Sequence, residues 1–264
     1  MEEKEVAENI IEKTGTTTVS QGFVKRSVQS IRNFPLKFFF RHFSNVVRYS
    51  LFTFFVVSIS GVIIFRFIPP TITPLMAIRM NEQLRKGEKV KMNYQWVPLE
   101  KISPNMQLAV VASEDNRFTE HFGIDLKAIR KARREATQGR RLRGASTISQ
   151  QTAKNVFLWP GRSWIRKGVE VYFTILIELF WGKRHIMEVY LNVIEMGNGI
   201  YGAEAAALTY FHKHALFLTR GESALIAATL PNPLRWRPNR PTRYLLGRQQ
   251  WILWNMNNIG KIEY

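Results

Sequence analysis

The chain has 264 residues and a mass of 30.8 kDa, room for one large domain or two small ones, which excludes a fusion of two full enzymes. Hydrophobic residues make up 45% and charged residues 22%, so low-complexity and collagen-like classes do not apply, and the lack of cysteine removes disulfides, cysteine zinc sites and thiol nucleophiles together. Thirty-eight Lys and Arg against twenty acids leave a formal charge of +18, a field that draws a protein towards nucleic acid, anionic lipid or phosphorylated substrates.

The charge is unevenly placed. Residues 1–13 hold Glu2, Glu3, Glu5, Glu8 and Glu12, and no further acid occurs before Glu82, while Lys25, Arg26, Arg32, Lys37, Arg41, Arg48, Arg66 and Arg79 lie between. Residues 1–22, polar with a TGTTT stretch, read as a disordered tail. Between Arg48 and Arg66 run seventeen uncharged residues, at the short end of what crosses about 30 Å of hydrocarbon at about 1.5 Å per residue. Tyr49, Phe65, Phe67 and the snorkelling ends of Arg48 and Arg66 extend it at the interfaces. This segment reads as a retained membrane anchor. A core helix that is apolar on every face needs protein on every side, and Pro69-Pro70 stands where a signal-peptide cleavage site belongs.

The basic flank favours an inside N-terminus by a small margin. The expected organisation is a tail over 1–47, a transmembrane helix over 48–68, and a globular domain over 69–264 that opens with a proline-bearing stalk (Pro69, Pro70, Pro74, Pro98). From Pro104 onward apolar residues recur at three- and four-residue spacing between Gly and Pro breaks, which predicts about eight helices and little sheet.

Three stretches carry candidate chemistry. In residues 110–132 an apolar helix ends in Glu114-Asp115, and a loop with Phe118, His121 and Gly123 follows; the only aspartates of the chain, Asp115 and Asp125, both fall here. Glu114 reads either as a salt-bridged helix-end carboxylate or, beside Asp115 and aromatic neighbours, as a general base whose pKa is raised by like charge and desolvation. In residues 143–170 a helix starting near Ala145 would align Ser146, Gln150 and Lys154, with Thr147 and Gln151 on an adjoining line. The same residues also satisfy a capping box at Thr147 and Gln150 on a solvated surface. Arg162, Arg166 and Lys167 bring more cations towards this strip, and Glu170 lies one turn beyond Arg166. In residues 183–211 Met187, Tyr190, Leu191 and Ile194 read as core, Glu188 and Asn192 as structural supports, and Gly197, Gly199 and Gly202 as a tight turn into an alanine-rich helix. The basic residues between Lys127 and Arg143 form either a solvated face or, beside an anchor, a holder for anionic head groups or a diphosphate lipid.

Carboxylates bracketing a cationic strip discriminate between reaction types. Hydrolysis of a sugar–sugar bond needs a proton donor for a poor leaving group and few cations. Displacement of a diphosphate needs fixed positive charge to clamp the departing anion, while a base activates the incoming hydroxyl. The second pattern fits better. A lytic enzyme would leave Lys154 and Arg162 without a task, and a non-enzymatic role in nucleic-acid binding lacks the aromatic motifs of RNA binders.

The same residues resemble a known family. ED-x-x-F-x-x-H-x-G at 114–123, G-x-S-T-I-x-QQ-x-x-KN at 144–155, RK-x-x-E at 166–170, the E-x-YLN glycine-rich stretch at 188–202 and a closing block at 222–238 resemble the ordered motifs of glycosyltransferase family 51. These are the peptidoglycan glycosyltransferase domains of class A penicillin-binding proteins and their monofunctional relatives. The match covers roughly residues 85–240. Ala145 and Ser149 depart from the usual Gly and Thr, and Trp236-Arg237-Pro238 replaces a frequent Tyr-Asn-Pro.

The resemblance implies a mainly α, lysozyme-like glycosyltransferase domain with a membrane-associated jaw, preceded by one transmembrane helix. It also implies polymerisation of lipid II into a β-1,4 glycan, with inversion at the anomeric carbon and release of undecaprenyl diphosphate, on the outer face of the bacterial cytoplasmic membrane. By matching position Glu114 would be the base and Lys154 and Arg162 the diphosphate ligands. Glu170, alone or through a divalent cation (Mg2+ or Mn2+), would assist departure. Asp115, Phe118, His121, Ser146, Thr147, Gln150 and Gln151 would line the cleft. The implied partners are lipid II, the growing strand, the cytoplasmic membrane and other wall-synthesis or division proteins, with no nucleic acid. The sequence holds no S-x-x-K, so a penicillin-sensitive transpeptidase is not expected.

Overall fold

The structure, a computed structural model, describes residues 36–139, 146–161 and 163–264. The acidic segment and TGTTT stretch, the bases Arg140, Arg141 and Arg143, and Arg162 lie outside the described residues. The chain divides into two compact units, 1–58 and 59–264.

Helix α1, Leu36–Phe67, runs from the first unit into the second. No Gly or Pro interrupts residues 36–60, so the helix starts well before the apolar run itself. The stretch Phe40–Phe67 is long and apolar enough to cross a membrane. Phe52, Phe54, Val57 and Ile64 expose their side chains, the opposite of a helix in a soluble core. This helix fits a single-pass anchor.

In the second unit helix starts follow local capping chemistry. Thr73 and Ser103 each accept a backbone N–H and precede Pro74 and Pro104, where α2 (Pro74–Arg85) and α3 (Pro104–Glu114) begin. Asp125 caps α4 (Leu126–Thr137), Thr147 caps α5 (Ile148–Phe157) and Ser163 caps α6 (Trp164–Phe180). Helices α7 (Gly182–Val193) and α8 (Gly202–Phe211) have no side-chain cap. Thr219 starts α9 (Arg220–Thr229) and Thr242 starts α10 (Arg243–Ile259). The predicted helical pattern from Pro104 onward is therefore realised as α3 to α10 among the described residues. Sheet is confined to β1 (Asn93–Tyr94), β2 (Glu195–Gly197) and β3 (Ile200–Tyr201), in the order β1-β3-β2, with β3 parallel to β1 and antiparallel to β2.

Two groups of helices build the core: α3, α9 and α10 pack on one another, and α5 packs on α6 and α7. Ile186, Met187, Val189, Tyr190, Leu191 and Val193 of α7 are buried, as is Ile194 just after it, so Met187, Tyr190, Leu191 and Ile194 are core as their spacing predicts. Asn192 is a structural support: its Oδ1 accepts from Val97 N at 2.9 Å, and its Nδ2 donates to Val97 O and Glu188 O. Alanines 203, 206 and 207 let α8 approach α7 closely.

The turn before α8 depends on glycine. Gly202 has φ +80°, and an added Cβ would collide with the Asn192 carbonyl. Gly202→Ala is expected to cost about 2–4 kcal/mol through left-handed strain plus overpacking. Urea denaturation should show the lowered midpoint; an unchanged midpoint would contradict this packing.

Candidate active site

Glu114 ends α3, and Asp115 breaks the helix with a non-helical backbone (φ -159°, ψ 76°). The two neighbouring carboxylates then part ways. Asp115 turns inward, where its Oδ1 lies 2.9 Å from His121 Nε2 and its Oδ2 accepts from Ile148 N at 3.1 Å. Glu114 stays at the surface of a cavity of about 490 Å3 that Ser113, Lys127, Lys131, Ser146 and Trp251 also line. Its Oε2 accepts from Gln151 Nε2 at 2.9 Å and its Oε1 from Ser113 Oγ at 3.1 Å, with Arg248 Nη2 4.0 Å from Oε1. The side chain keeps 16% of its exposure, so an incoming hydroxyl has access.

The aromatic neighbour expected from the sequence is elsewhere. Phe118 is fully buried, with Lys183 Nζ 4.6 Å from its ring centroid, and it has no surface to offer a substrate. Tyr190 OH is buried without a hydrogen-bond partner; burial, helped by the charges of Glu114 and Asp115, pushes the phenol well above its ordinary value.

The second motif folds differently from the continuous strip. Thr147 is the N-cap of α5, so Ser146 precedes the helix and faces the Glu114 cavity from a loop. Gln150 completes a capping box with Thr147, and both are buried rather than solvated. Thr147 Oγ1 also donates to Gly123 O at 2.6 Å, which joins the first motif to the second. Gly123 sits at φ +72°, and a Cβ there would meet Thr174 Cγ2 at 2.6 Å, so this approach needs glycine. Thr147 and Gln150 thus build the site, while Gln151 and Lys154 face it.

Lys154 lines a second cavity, of about 400 Å3, together with Gln151, Asn155, Arg79, Arg166 and Glu195. Gln151 also bonds to Glu114, so one side chain joins the two cavities. No ion-pair or hydrogen-bond partner of Lys154 occurs among the described residues. Burial pushes its ammonium below the ordinary lysine value; Glu170 pulls it back up, Arg166 and Lys167 add to the lowering, and Glu114 opposes them. Glu170 is buried and already paired, with Arg166 Nη1 at 2.9 Å and Lys167 Nζ at 2.5 Å. It orients two cations beside the cavity.

Residue types at two places invite comparison with a divalent cation site. Asp115, His121 and Asp125 bring ligand atoms within 4.8 Å of one another. However, Asp125 is held by Arg117 and by Ala128 N, and Asp115 by His121 and Ile148 N. Asp125 is desolvated, yet the Ala128 N–H and the Arg117 guanidinium outweigh that and hold its carboxyl below the usual range. Both oxygens of Glu170 are likewise taken by cations. Neither group fits a divalent cation in this arrangement.

Three contributors escape local reading. Arg79, on α2, reaches the Lys154 cavity while paired with Glu82 and Glu195. Arg248 and Trp251, on α10, reach the Glu114 cavity from outside every motif quoted above. A lone basic or aromatic residue in a chain this rich in both gives no signal in the sequence.

With this geometry in hand, comparisons with known proteins are specific. A family model described as Transglycosylase matches residues 80–257. A biosynthetic peptidoglycan transglycosylase of Bacteroides thetaiotaomicron is 55% identical over 230 residues, 87% of this chain and 91% of the relative. A protein of the same name from Caulobacter vibrioides is 50% identical over 216 residues, 80% of this chain and 92% of the relative. Another, from Haemophilus influenzae, is 49% identical over 212 residues, 80% of this chain and 86% of the relative. The family match covers all the lining of the Glu114 cavity and all of the Lys154 cavity except Leu75 and Arg79, and the chain belongs to the transglycosylase family.

Proposed function

We propose that this peptidoglycan glycosyltransferase polymerises lipid II by an inverting displacement, with Glu114 as base and Lys154 at the centre of the diphosphate clamp. Glu114 takes the proton of the acceptor 4-hydroxyl as that oxygen forms its bond to the donor's anomeric carbon. The bond from that carbon to the diphosphate oxygen breaks, and the lipid diphosphate leaves with its electron pair. Attack opposite the leaving group turns an α-linked donor into a β-1,4 glycan. Glu114 then returns its proton to solvent.

The observation that carries this reading is the Gln151–Glu114 hydrogen bond, which sets the carboxylate beside a cavity lined by Lys154, a half-buried lysine with no ion-pair or hydrogen-bond partner among the described residues. A desolvated cation acts strongly on charge that develops at the leaving oxygen. Arg79 and Arg166 line the same cavity, and Glu170 aims Arg166 and Lys167. Arg162 lies outside the described residues, and its part as a further ligand of the diphosphate rests on the family resemblance alone. Asp115 and His121 are positioning residues, since they hold the helix break that presents Glu114. No step runs through a divalent cation, whose ligands these residues do not supply.

Anchor α1 and the exposed side chains of Phe122, Leu126, Trp164, Ile165 and Leu179 support work at a lipid surface. With an inside N-terminus the domain would sit on the outer face of the bacterial cytoplasmic membrane, where its partners are lipid II, the growing strand and the wall-synthesis machinery.

Conversion of labelled lipid II to polymer by the detergent-solubilised chain tests the reading, and failure to form polymer would refute it. The pH profile adds a sharper check. Because the free Lys154 titrates below an ordinary lysine, its charge is lost as pH rises through that lowered value. The alkaline limb of kcat/KM is expected at lower pH in the natural chain than in Lys154→Arg, whose guanidinium stays charged. Coincident limbs would remove Lys154 from the clamp.

A further inference from the structure

Among the side chains that line the Glu114 cavity, Trp251 is the aromatic one, and the displacement described above gives it no role. It lies on the α10 face that meets α3, the helix that ends in Glu114. Leu245, Ile252 and Met256 of α10 are buried, which fixes the helix and the indole's position. Trp251 itself keeps 42% of its residue surface exposed. The Arg248 guanidinium lies 6.0 Å from the ring centroid, and the same group reaches Ser113 Oγ at 3.3 Å and stands 4.0 Å from Glu114. One arginine thus ties the indole to the carboxylate. The indole N–H has no hydrogen-bond partner among the described residues.

Apart from Ala128 and Ala132, the rest of the cavity wall is polar or charged, with Ser113, Asn116, Ser146, Lys127 and Lys131 among it. A flat apolar face opposite hydroxyl and ammonium donors suits a ligand that is polar around its edge and apolar on one face. A pyranose ring with equatorial substituents has that form, because its axial C–H bonds make one face hydrophobic. We propose that Trp251 is the stacking platform for the acceptor's sugar ring, holding its 4-hydroxyl against Glu114. This rests on the reading of Glu114 as the base of a glycosyl transfer.

The test uses the full chain in detergent with two probes: a GlcNAc–MurNAc tetrasaccharide lacking lipid and phosphate, and inorganic pyrophosphate. Binding is measured by calorimetry in a Glu114→Gln background, and turnover of lipid II in the otherwise natural chain. Trp251→Leu is expected to weaken tetrasaccharide binding about tenfold and to raise KM for lipid II by a similar factor. Pyrophosphate binding and kcat should change little. Trp251→Tyr, which keeps a flat face, should restore most of the affinity, and Trp254→Leu, an exposed residue outside the cavity lining, should have no effect. Should Trp251→Leu fail to fold, Trp251→Met keeps the volume without the flat face and carries the same expectation. Unchanged KM in the non-aromatic variants overturns the proposal, as does loss of pyrophosphate together with the sugar, which would make Trp251 a structural residue. Failure of the Glu114 reading would show separately, as turnover by Glu114→Gln with Trp251 intact.

Discussion

Glu114→Gln is expected to reduce lipid II polymerisation by about a thousandfold, within the range that a positioned general base contributes. The substitution is nearly isosteric, and the local hydrogen bonds tolerate it. The Gln151 amide and Ser113 hydroxyl can both turn to pair with a carboxamide, and Arg248 at 4.0 Å forms no short ion pair that would be orphaned. The fold and the affinity for the diphosphate should therefore survive while the proton acceptor is lost. Melting temperature and pyrophosphate binding measured beside the rate make the split visible. A mutant that retains full activity would remove Glu114 from the base role.

Lys154→Ala is expected to lower polymerisation by about a hundredfold, the scale of losing one preorganised electrostatic contact to the transition state, and to weaken pyrophosphate binding. Its effect on stability should run the other way. The folded state depresses the Lys154 pKa chiefly by burial, so its protonated form is penalised on folding at neutral pH. No carboxylate depends on Lys154 alone, since Glu170 keeps Arg166 and Lys167 and Glu114 keeps its own donors. Removal of the ammonium should hold or raise the melting temperature while activity collapses. Loss of both stability and activity would indicate a packing role instead of a clamp.

The helix placement of these two positions is legible in the sequence because short-range spacing fixes it. Glu114 ends an apolar helical run and Lys154 lies about one turn beyond Gln151, so local periodicity places the first at a helix end and the second on the Gln151 side of its helix. The choice between the two readings of Gln150, strip donor or capping-box partner, has an equally local cause. Thr147 accepts the N–H of Gln150 and starts the helix later than Ala145, which takes Ser146 off the strip and spends Gln150 on the cap. Phe118 shows a different limit, since a motif residue can be required for the core beneath the site instead of for the substrate.

Arg79, Arg248 and Trp251 illustrate what periodicity cannot supply. They arrive through the packing of α2 near α5 and of α10 on α3, and nothing in their neighbours along the chain marks them. The small sheet shows the same effect: β1 pairs with β3 more than a hundred residues later, Asn93 with Ile200, a register that depends on the Gly199–Gly202 turn being in place.

The most direct test is an experimental structure of the Glu114→Gln chain with lipid II bound. The expected result is one trough in which an acceptor 4-hydroxyl lies within hydrogen-bonding distance of the residue 114 side chain and a donor diphosphate rests on Lys154. A diphosphate bound away from Lys154, or a sugar hydroxyl out of reach of position 114, would contradict the account.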